Sequence, residues 1–242
     1  MTTTYAVREV FPTLQGEGFH AGRFAVFVRF AACNLWTGRE QDRERDATRH
    51  DVACPRWCDT DFAGGARMDL GDLMRAIDTA ADHYGAVTTR SRGEVQVDRG
   101  TPGLLVFTGG EPLLHLDRPL LDAVRDDYPD FTVAIETNGT VAPADGVHPD
   151  WVCVSPKVPV ERLVVTSGSE LKVVYPAYDP LAYESIEENF GHLYVSPEAQ
   201  VEVGSVGVSE VSRSATRAAA DFVLRHPHWR LSIQQHKLLG LP

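Results

Sequence analysis

Lysine is scarce in this chain of 242 residues: of 23 basic side chains only Lys157, Lys172 and Lys237 are lysines, and the rest are arginine. Against them stand 34 acidic side chains, giving a net charge of -11. That excess repels phosphate backbones and speaks against nucleic acid as a partner. No apolar run approaches the roughly 18 to 20 residues that a bilayer span requires, and Met1 to Ala6 lacks a basic stretch leading into an apolar one. Neither a membrane span nor a secretory signal is therefore expected, and a cytoplasmic location is. Four cysteines are too few for a disulfide scaffold of this length. Glycine and proline, 20 and 15 residues, are too few for a collagenous or low-complexity chain. What is present is an apolar fraction of 43%, sufficient for a substantial core.

Periodicity predicts alternating strands and helices. Arg23 to Phe30 is short, aromatic and β-branched, and reads as a strand. Trp36 to Ala53 carries mixed charges without an apolar period and reads as an exposed insertion. Leu70, Leu73, Met74, Ile77, Ala80, Ala81 and Tyr84 recur at helical spacing behind Asp69, a favourable N-cap. After a polar stretch over 85–102, strands are expected at Leu104–Phe107, Phe131–Glu136, Trp151–Val154, Glu170–Tyr175, Leu193–Val195 and Arg230–Gln234. Helices are expected near Asp117–Asp127, Leu181–Glu188 and Ser209–Arg225. Apolar strands separated by helices imply a mostly parallel sheet, and polar motifs at several strand C-termini imply a site on one rim. The expected fold is α/β, an incomplete (β/α) barrel forming a single domain over 1–242, with polar insertions near 36–53 and 85–102.

The chemistry-bearing motifs follow those strands. Cys33, Cys54 and Cys58 cluster in the first quarter of the chain. Structural zinc sites use four closed ligands in paired Cys-x2-Cys spacing, which is missing here, whereas three thiolates suit a 4Fe-4S cluster with one iron left open. Cys153, on an apolar strand, reads as a core residue. Trp57-Cys58-Asp59-Thr60, Thr108-Gly109-Gly110-Glu111-Pro112 and Glu136-Thr137-Asn138-Gly139 each follow a predicted strand. Together they resemble the radical S-adenosylmethionine superfamily. Val10-Phe11-Pro12-Thr13-Leu14-Gln15-Gly16-Glu17-Gly18, Val28-Arg29-Phe30, Cys33-Asn34-Leu35 and the ending Ile233-Gln234-Gln235-His236-Lys237 extend the likeness across nearly the whole chain. They resemble the 7-carboxy-7-deazaguanine synthase family within that superfamily.

This resemblance implies a partial-barrel homodimer with a 4Fe-4S cluster, S-adenosyl-L-methionine (SAM) and Mg2+. It implies rearrangement of 6-carboxy-5,6,7,8-tetrahydropterin to 7-carboxy-7-deazaguanine with loss of ammonia, in the queuosine or 7-deazapurine pathway. An electron donor such as flavodoxin or ferredoxin is the implied protein partner. Cys33, Cys54 and Cys58 would ligate the cluster, and Thr60, beside Asp59, would offer its hydroxyl to Mg2+. Thr108, Gly109, Gly110 and Glu111 would meet the cofactor's methionine moiety, since glycines admit close approach and the carboxylate accepts from an ammonium. Glu136, Asn138, Ser155, Lys157 and Ser196 would line the remainder of that cofactor, with Glu136 suited to ribose hydroxyls.

A pterin edge presents several N–H donors and an oxo acceptor. Gln15 and Glu17 are suited to read it together, next to Leu14. Arg29 has the planar fork to hold the substrate carboxylate, and His236 a further hydrogen bond; Glu17, Arg29 and His236 are the candidate catalytic set. The tail Leu238–Leu241 is apolar enough to anchor Pro242, whose carboxylate would join Glu17 on the donor-rich edge. Two features depart from the family pattern. The cysteine spacing is Cys-x20-Cys-x3-Cys in place of the usual Cys-x3-Cys-x2-Cys, and Val195-Ser196-Pro197 stands where Leu-Gln-Pro is frequent. Two other activities fit parts of the pattern: a radical SAM activase acting on a protein glycine, and a non-catalytic zinc-stabilised binding module.

Overall fold

The computed structural model describes residues 3–52, 58, 60–83, 103–199 and 212–242. Its strands are β1 (Thr4–Leu14), β2 (Phe24–Phe30), β3 (Ala66–Asp69), β4 (Leu104–Gly109), β5 (Thr132–Thr137), β6 (Trp151–Val154), β7 (Gly168–Tyr175), β8 (Phe190–Pro197) and β9 (Arg230–Leu231). The helices are α1 (Arg43–His50), α2 (Leu70–Asp82), α3 (Arg118–Asp127), α4 (Arg213–Arg225) and α5 (Gln235–Leu239). All nine strands form one sheet in the order β3-β1-β2-β4-β5-β6-β7-β8-β9. From β2 to β9 every neighbouring pair is parallel, while β1 pairs antiparallel with both β2 and β3. The expected mostly parallel, unclosed α/β architecture is thus observed.

Strand alternation divides the apolar residues between two faces. Leu105 and Phe107 of β4 pack with Leu73 and Ile77 of α2 and Leu120, Leu121 and Val124 of α3 in the larger helix-side core. Leu104 and Val106 turn the other way and meet Ala25, Phe27 and Ala134 on the concave side of the sheet. Both long helices on that core are capped as their sequences dictate: Asp69 accepts from Asp72 N at 2.8 Å and Asp117 from Leu120 N at 3.0 Å. A second core under β7 and β8 gathers Leu171, Val173, Val195, Phe222 of α4 and Trp229.

Several expectations are corrected. A strand, Thr4–Leu14, precedes the one expected first at Arg23–Phe30; at its Pro12 only β2 is paired, because β3 reaches no further than Val7, so the missing N–H has no ladder to break. The stretch after Trp36 is exposed over much of its length but is anchored in the core at a few points. Its helix α1 buries Ala47 and Asp46, and Trp36, Val52 and Phe62 join the second core. Asp46 is tolerated there because Thr37 N donates to it at 3.0 Å and Arg45 pairs with it at 2.8 Å. The helix expected near Leu181 is a run of 3-10 turns over Pro180–Asn189, started by Pro180 behind an Asp179 cap. The last strand spans only Arg230–Leu231, after which the chain turns into the short helix α5. The polar stretch 85–102 and the beginning of the helix expected from Ser209 lie outside the described residues.

Candidate active site

The C-terminal ends of the parallel strands surround a cavity of about 980 Å³. Parallel strands all deliver their ends to the same rim, so residues distant in sequence converge there. Beyond β2 come Cys33 and Leu35, at the end of β4 Thr108, Gly109 and Gly110, and after β5 Thr137 and Asn138. Ser155 and Lys157 follow β6, Lys172 and Val174 belong to β7, and Ser196 ends β8. The antiparallel strand β1 lies lengthwise along the wall with Glu9, Phe11 and Thr13, and the loop after it carries Gln15, Gly16 and Glu17 into the sheet's concave side.

On the cysteine side, Cys33 and Cys58 both face the cavity, with Thr60 and Asp61 beside them. Burial pushes the Cys33 thiol up to about 12, and the neighbouring Cys58 pushes in the same direction, while Leu35 N donating to the sulfur at 3.4 Å opposes them. Two thiols facing one cavity in an apolar wall are a donor set that suits a soft, cationic cluster, which would favour their thiolate forms. Cys54 and Asp59 lie outside the described residues. Among the described residues no group of three or more His, Cys, Asp or Glu could hold a metal ion; Thr60, the residue expected to meet Mg2+, lines the cavity.

Gly109 and Gly110 form the adjoining floor. Gly109 has φ +125°, and a Cβ on either glycine would strike the backbone of Phe30 or Ala32, so this strand end packs directly on the turn leading to Cys33. The carboxylate of Glu111 is not in the cavity wall. It is fully buried and accepts from Leu113 N at 3.0 Å, Thr137 Oγ1 at 2.8 Å and Asn138 N at 2.8 Å. These bonds make Glu111 a tie between the β4 and β5 ends. Burial raises its carboxyl above the usual range, partly offset by those three donors. Asn138, held over Asn34 at 3.1 Å, faces the cavity.

The opposite wall joins the remaining expected residues. Gln15 Nε2 donates to Glu136 Oε1 at 3.1 Å, and Gln15 Oε1 accepts from Glu17 N at 3.1 Å. Thr108 Oγ1 reaches Glu136 Oε2 at 3.3 Å, and Lys157 Nζ donates to Ser155 Oγ at 2.8 Å. Arg29 faces the cavity from β2, pairs with Glu9 at 2.8 Å and lies 5.4 Å over the Phe11 ring. His236, on α5, presses on the loop so closely that a Cβ at Gly16 would run into its imidazole. Burial lowers the His236 pKa below its ordinary value, against the pull of Glu17. Leu14 and Pro242 also line the cavity, and Thr13 Oγ1 donates to the Pro242 carbonyl at 3.1 Å. The tail reaches the cavity through a tight turn, in which Leu241 N donates to His236 O at 2.9 Å, and not through apolar anchoring: Leu238 and Leu239 are more than half exposed.

One residue here was not singled out from the sequence. Lys172 is buried, paired with Glu17 and 3.9 Å from Glu136. Its scarcity in an arginine-rich chain was the available signal. Cys153 is buried as expected, on the concave face beneath the cavity near Glu170 and Lys172.

No protein-family model matches the chain. The chain is 46% identical over 241 residues to 7-carboxy-7-deazaguanine synthase of Bordetella pertussis, covering 98% of this chain and 99% of that one. It is 45% identical to the enzyme of that name from Nitratidesulfovibrio vulgaris, over 99% and 100% of the two chains. At 33% identity it still covers 97% of this chain and of its counterpart from Bacteroides thetaiotaomicron. The fold matches the crystal structure of QueE from Escherichia coli with a TM-score of 0.60 at 22% identity, covering 96% of this chain and 95% of that one. An unclosed, mostly parallel β/α sheet with cysteines at the cavity on its C-terminal rim, in a chain with relatives this similar, makes it a radical SAM enzyme. More narrowly, the chain belongs to the 7-carboxy-7-deazaguanine synthase family, a family of lyases.

Proposed function

We propose that this chain rearranges 6-carboxy-5,6,7,8-tetrahydropterin to 7-carboxy-7-deazaguanine with release of ammonia, and that the 980 Å³ cavity is where it does so. The observation that carries the reading is the convergence of Gln15, Glu17, Arg29 and His236 with Cys33, Cys58, Gly109 and Gly110 around one cavity. Glu17 and the Pro242 end of the tail are acceptors suited to the donor-rich pterin edge. Arg29 is a fork suited to a carboxylate, and His236, whose pKa burial lowers, offers its ring nitrogens for a further hydrogen bond.

Cys33, Cys54 and Cys58 would hold a 4Fe-4S cluster, with Thr108, the two glycines, Glu136, Asn138, Ser155, Lys157 and Ser196 around SAM. When bound, these groups would supply the radical chemistry by which a hydrogen atom is taken from the substrate. The chain's own residues would orient the ring and limit water around it: Phe11, Phe27 and Val174 give the cavity apolar lining on the sheet side. Glu111 keeps the cofactor floor in register by tying β4 to β5. Thr60, which lines the cavity, would offer its hydroxyl to Mg2+. An electron donor such as flavodoxin or ferredoxin, and pairing as a homodimer, belong to the same reading and rest on family membership.

Anaerobic incubation of cluster-reconstituted protein with the carboxytetrahydropterin, dithionite, Mg2+ and SAM should yield the deazaguanine and ammonia. Cluster-loaded protein that cleaves SAM but releases no deazaguanine would overturn the proposal.

A further inference from the structure

The concave face of the sheet holds more carboxylate than counter-charge. Glu17 enters on the loop after β1, Glu136 projects from β5 and Glu170 from β7, and one ammonium, Lys172, lies among them. Lys172 is only 5% exposed and pairs directly with Glu17, whose other oxygen is 3.5 Å from Ser196 Oγ. Its Nζ is 3.9 Å from Glu136 Oε1, the same oxygen that accepts from Gln15 Nε2 at 3.1 Å. Lys172, Gln15, Glu17 and Glu136 therefore form one connected network spanning the wall assigned to the pterin and the strand assigned to the cofactor. A buried carboxylate that loses its paired cation either takes up a proton or moves toward water. Either change would remove the acceptor the pterin edge requires.

We propose that Lys172 is a positioning residue that keeps Glu17 an ionised acceptor at a fixed place in the cavity, so that recognition of the pterin does not vary with pH around neutrality. The proposal deepens the functional reading above and rests on it. Burial by itself would push the ammonium down, yet the carboxylates of Glu136 and Glu17, helped by Cys153 and Glu170, hold it well above its ordinary value. Lys172 thus stays charged throughout the working range. The groups facing it are Glu17 from the loop, Glu136 from β5, Cys153 from β6, Glu170 from its own strand and His236 from α5. His236 is the one among them whose ordinary pKa lies near neutrality, and it is present in wild type and variant alike.

The test uses 6-carboxypterin, a fluorescent oxidised analogue, titrated anaerobically into cluster-loaded protein between pH 6.0 and 7.5. Lys172→Met keeps the length of the side chain and removes its charge. Comparing the variant with wild type at each pH cancels the His236 contribution. The ratio of dissociation constants, variant over wild type, is expected to rise about tenfold per unit of falling pH once the Glu17 carboxyl, freed of its cation, begins to take up protons. A ratio constant across the range overturns the proposal. If Lys172→Met does not fold, the double variant Glu17→Gln/Lys172→Met, which removes both charges, should fold and load its cluster. Failure of that rescue shows that the lysine is held by something other than Glu17, and also overturns it. Wild-type protein that does not bind 6-carboxypterin at any pH would overturn the functional reading itself, an outcome distinct from wild-type binding with a flat ratio.

Discussion

Gln15 Nε2 donates to Glu136 Oε1 at 3.1 Å, linking a loop at one edge of the concave face to a strand near the middle of the sheet. The same side chain accepts from Glu17 N, so one amide holds both the acceptor proposed for the pterin and the carboxylate proposed for the cofactor. Gln15→Leu should therefore raise KM for both substrate and SAM by about tenfold or more, the scale of losing a buried partner to a charged group. Steady-state kinetics varying each ligand in turn would check it. A change confined to one KM would mean the two walls are not coupled through Gln15.

Replacing Cys33, Cys54 or Cys58 with Ala should abolish both the brown chromophore and turnover, because three thiolates are the fewest that hold a cluster while leaving one iron open. Iron content and the visible spectrum after anaerobic reconstitution report this directly. A full cluster in Cys54→Ala would remove Cys54 from the ligand set.

Gly16→Ala places a methyl group where the His236 imidazole lies. The ring must move, and a displacement of that order costs roughly 10- to 100-fold in kcat/KM. The cluster spectrum should be unchanged, since the cysteines lie across the cavity. Wild-type kinetics in Gly16→Ala would show that His236 is not needed in its present place.

Stability should depend on pH through His236. Its folded pKa is lowered by burial, so below the ordinary value near 6.5 the unfolded chain binds a proton that the native state resists. Acidification from pH 7.5 to 5.5 should accordingly lower Tm more in the wild type than in His236→Gln. Equal slopes in calorimetric melts of the two proteins would contradict this.

Thr60→Ala should weaken the response of turnover to added Mg2+ while leaving the iron content intact, as expected for loss of a single oxygen ligand to a hard cation. A Mg2+ titration identical to wild type would take Thr60 out of the metal site.

Much of the architecture was legible in the chain. Helices α2 and α3 announce themselves by a 3.6-residue apolar period behind Asp69 and Asp117, which are local signals that packing reinforces. Buried parallel strands such as β4 are short continuous apolar runs, and their polar ends point to one rim because parallel strands share a direction. The residues of that rim, from Cys33 to His236, are named from the likeness of their motifs to the 7-carboxy-7-deazaguanine synthase family. What the sequence did not reveal depends on neighbours far along the chain. The strand role of Thr4–Leu14 despite Pro12 depends on which of its edges is paired at that point, and the burial of α1 depends on Trp36 and Phe62 closing over it. Glu111 was placed in the cofactor pocket by its motif. Only the tertiary structure turns its carboxylate to three donors between strands, where an acceptor is needed to satisfy buried N–H and O–H groups. The partnership of Lys172 with Glu17 joins residues 155 positions apart. Local pattern carries no information about such a pair, because a buried charge is acceptable only where folding brings its opposite.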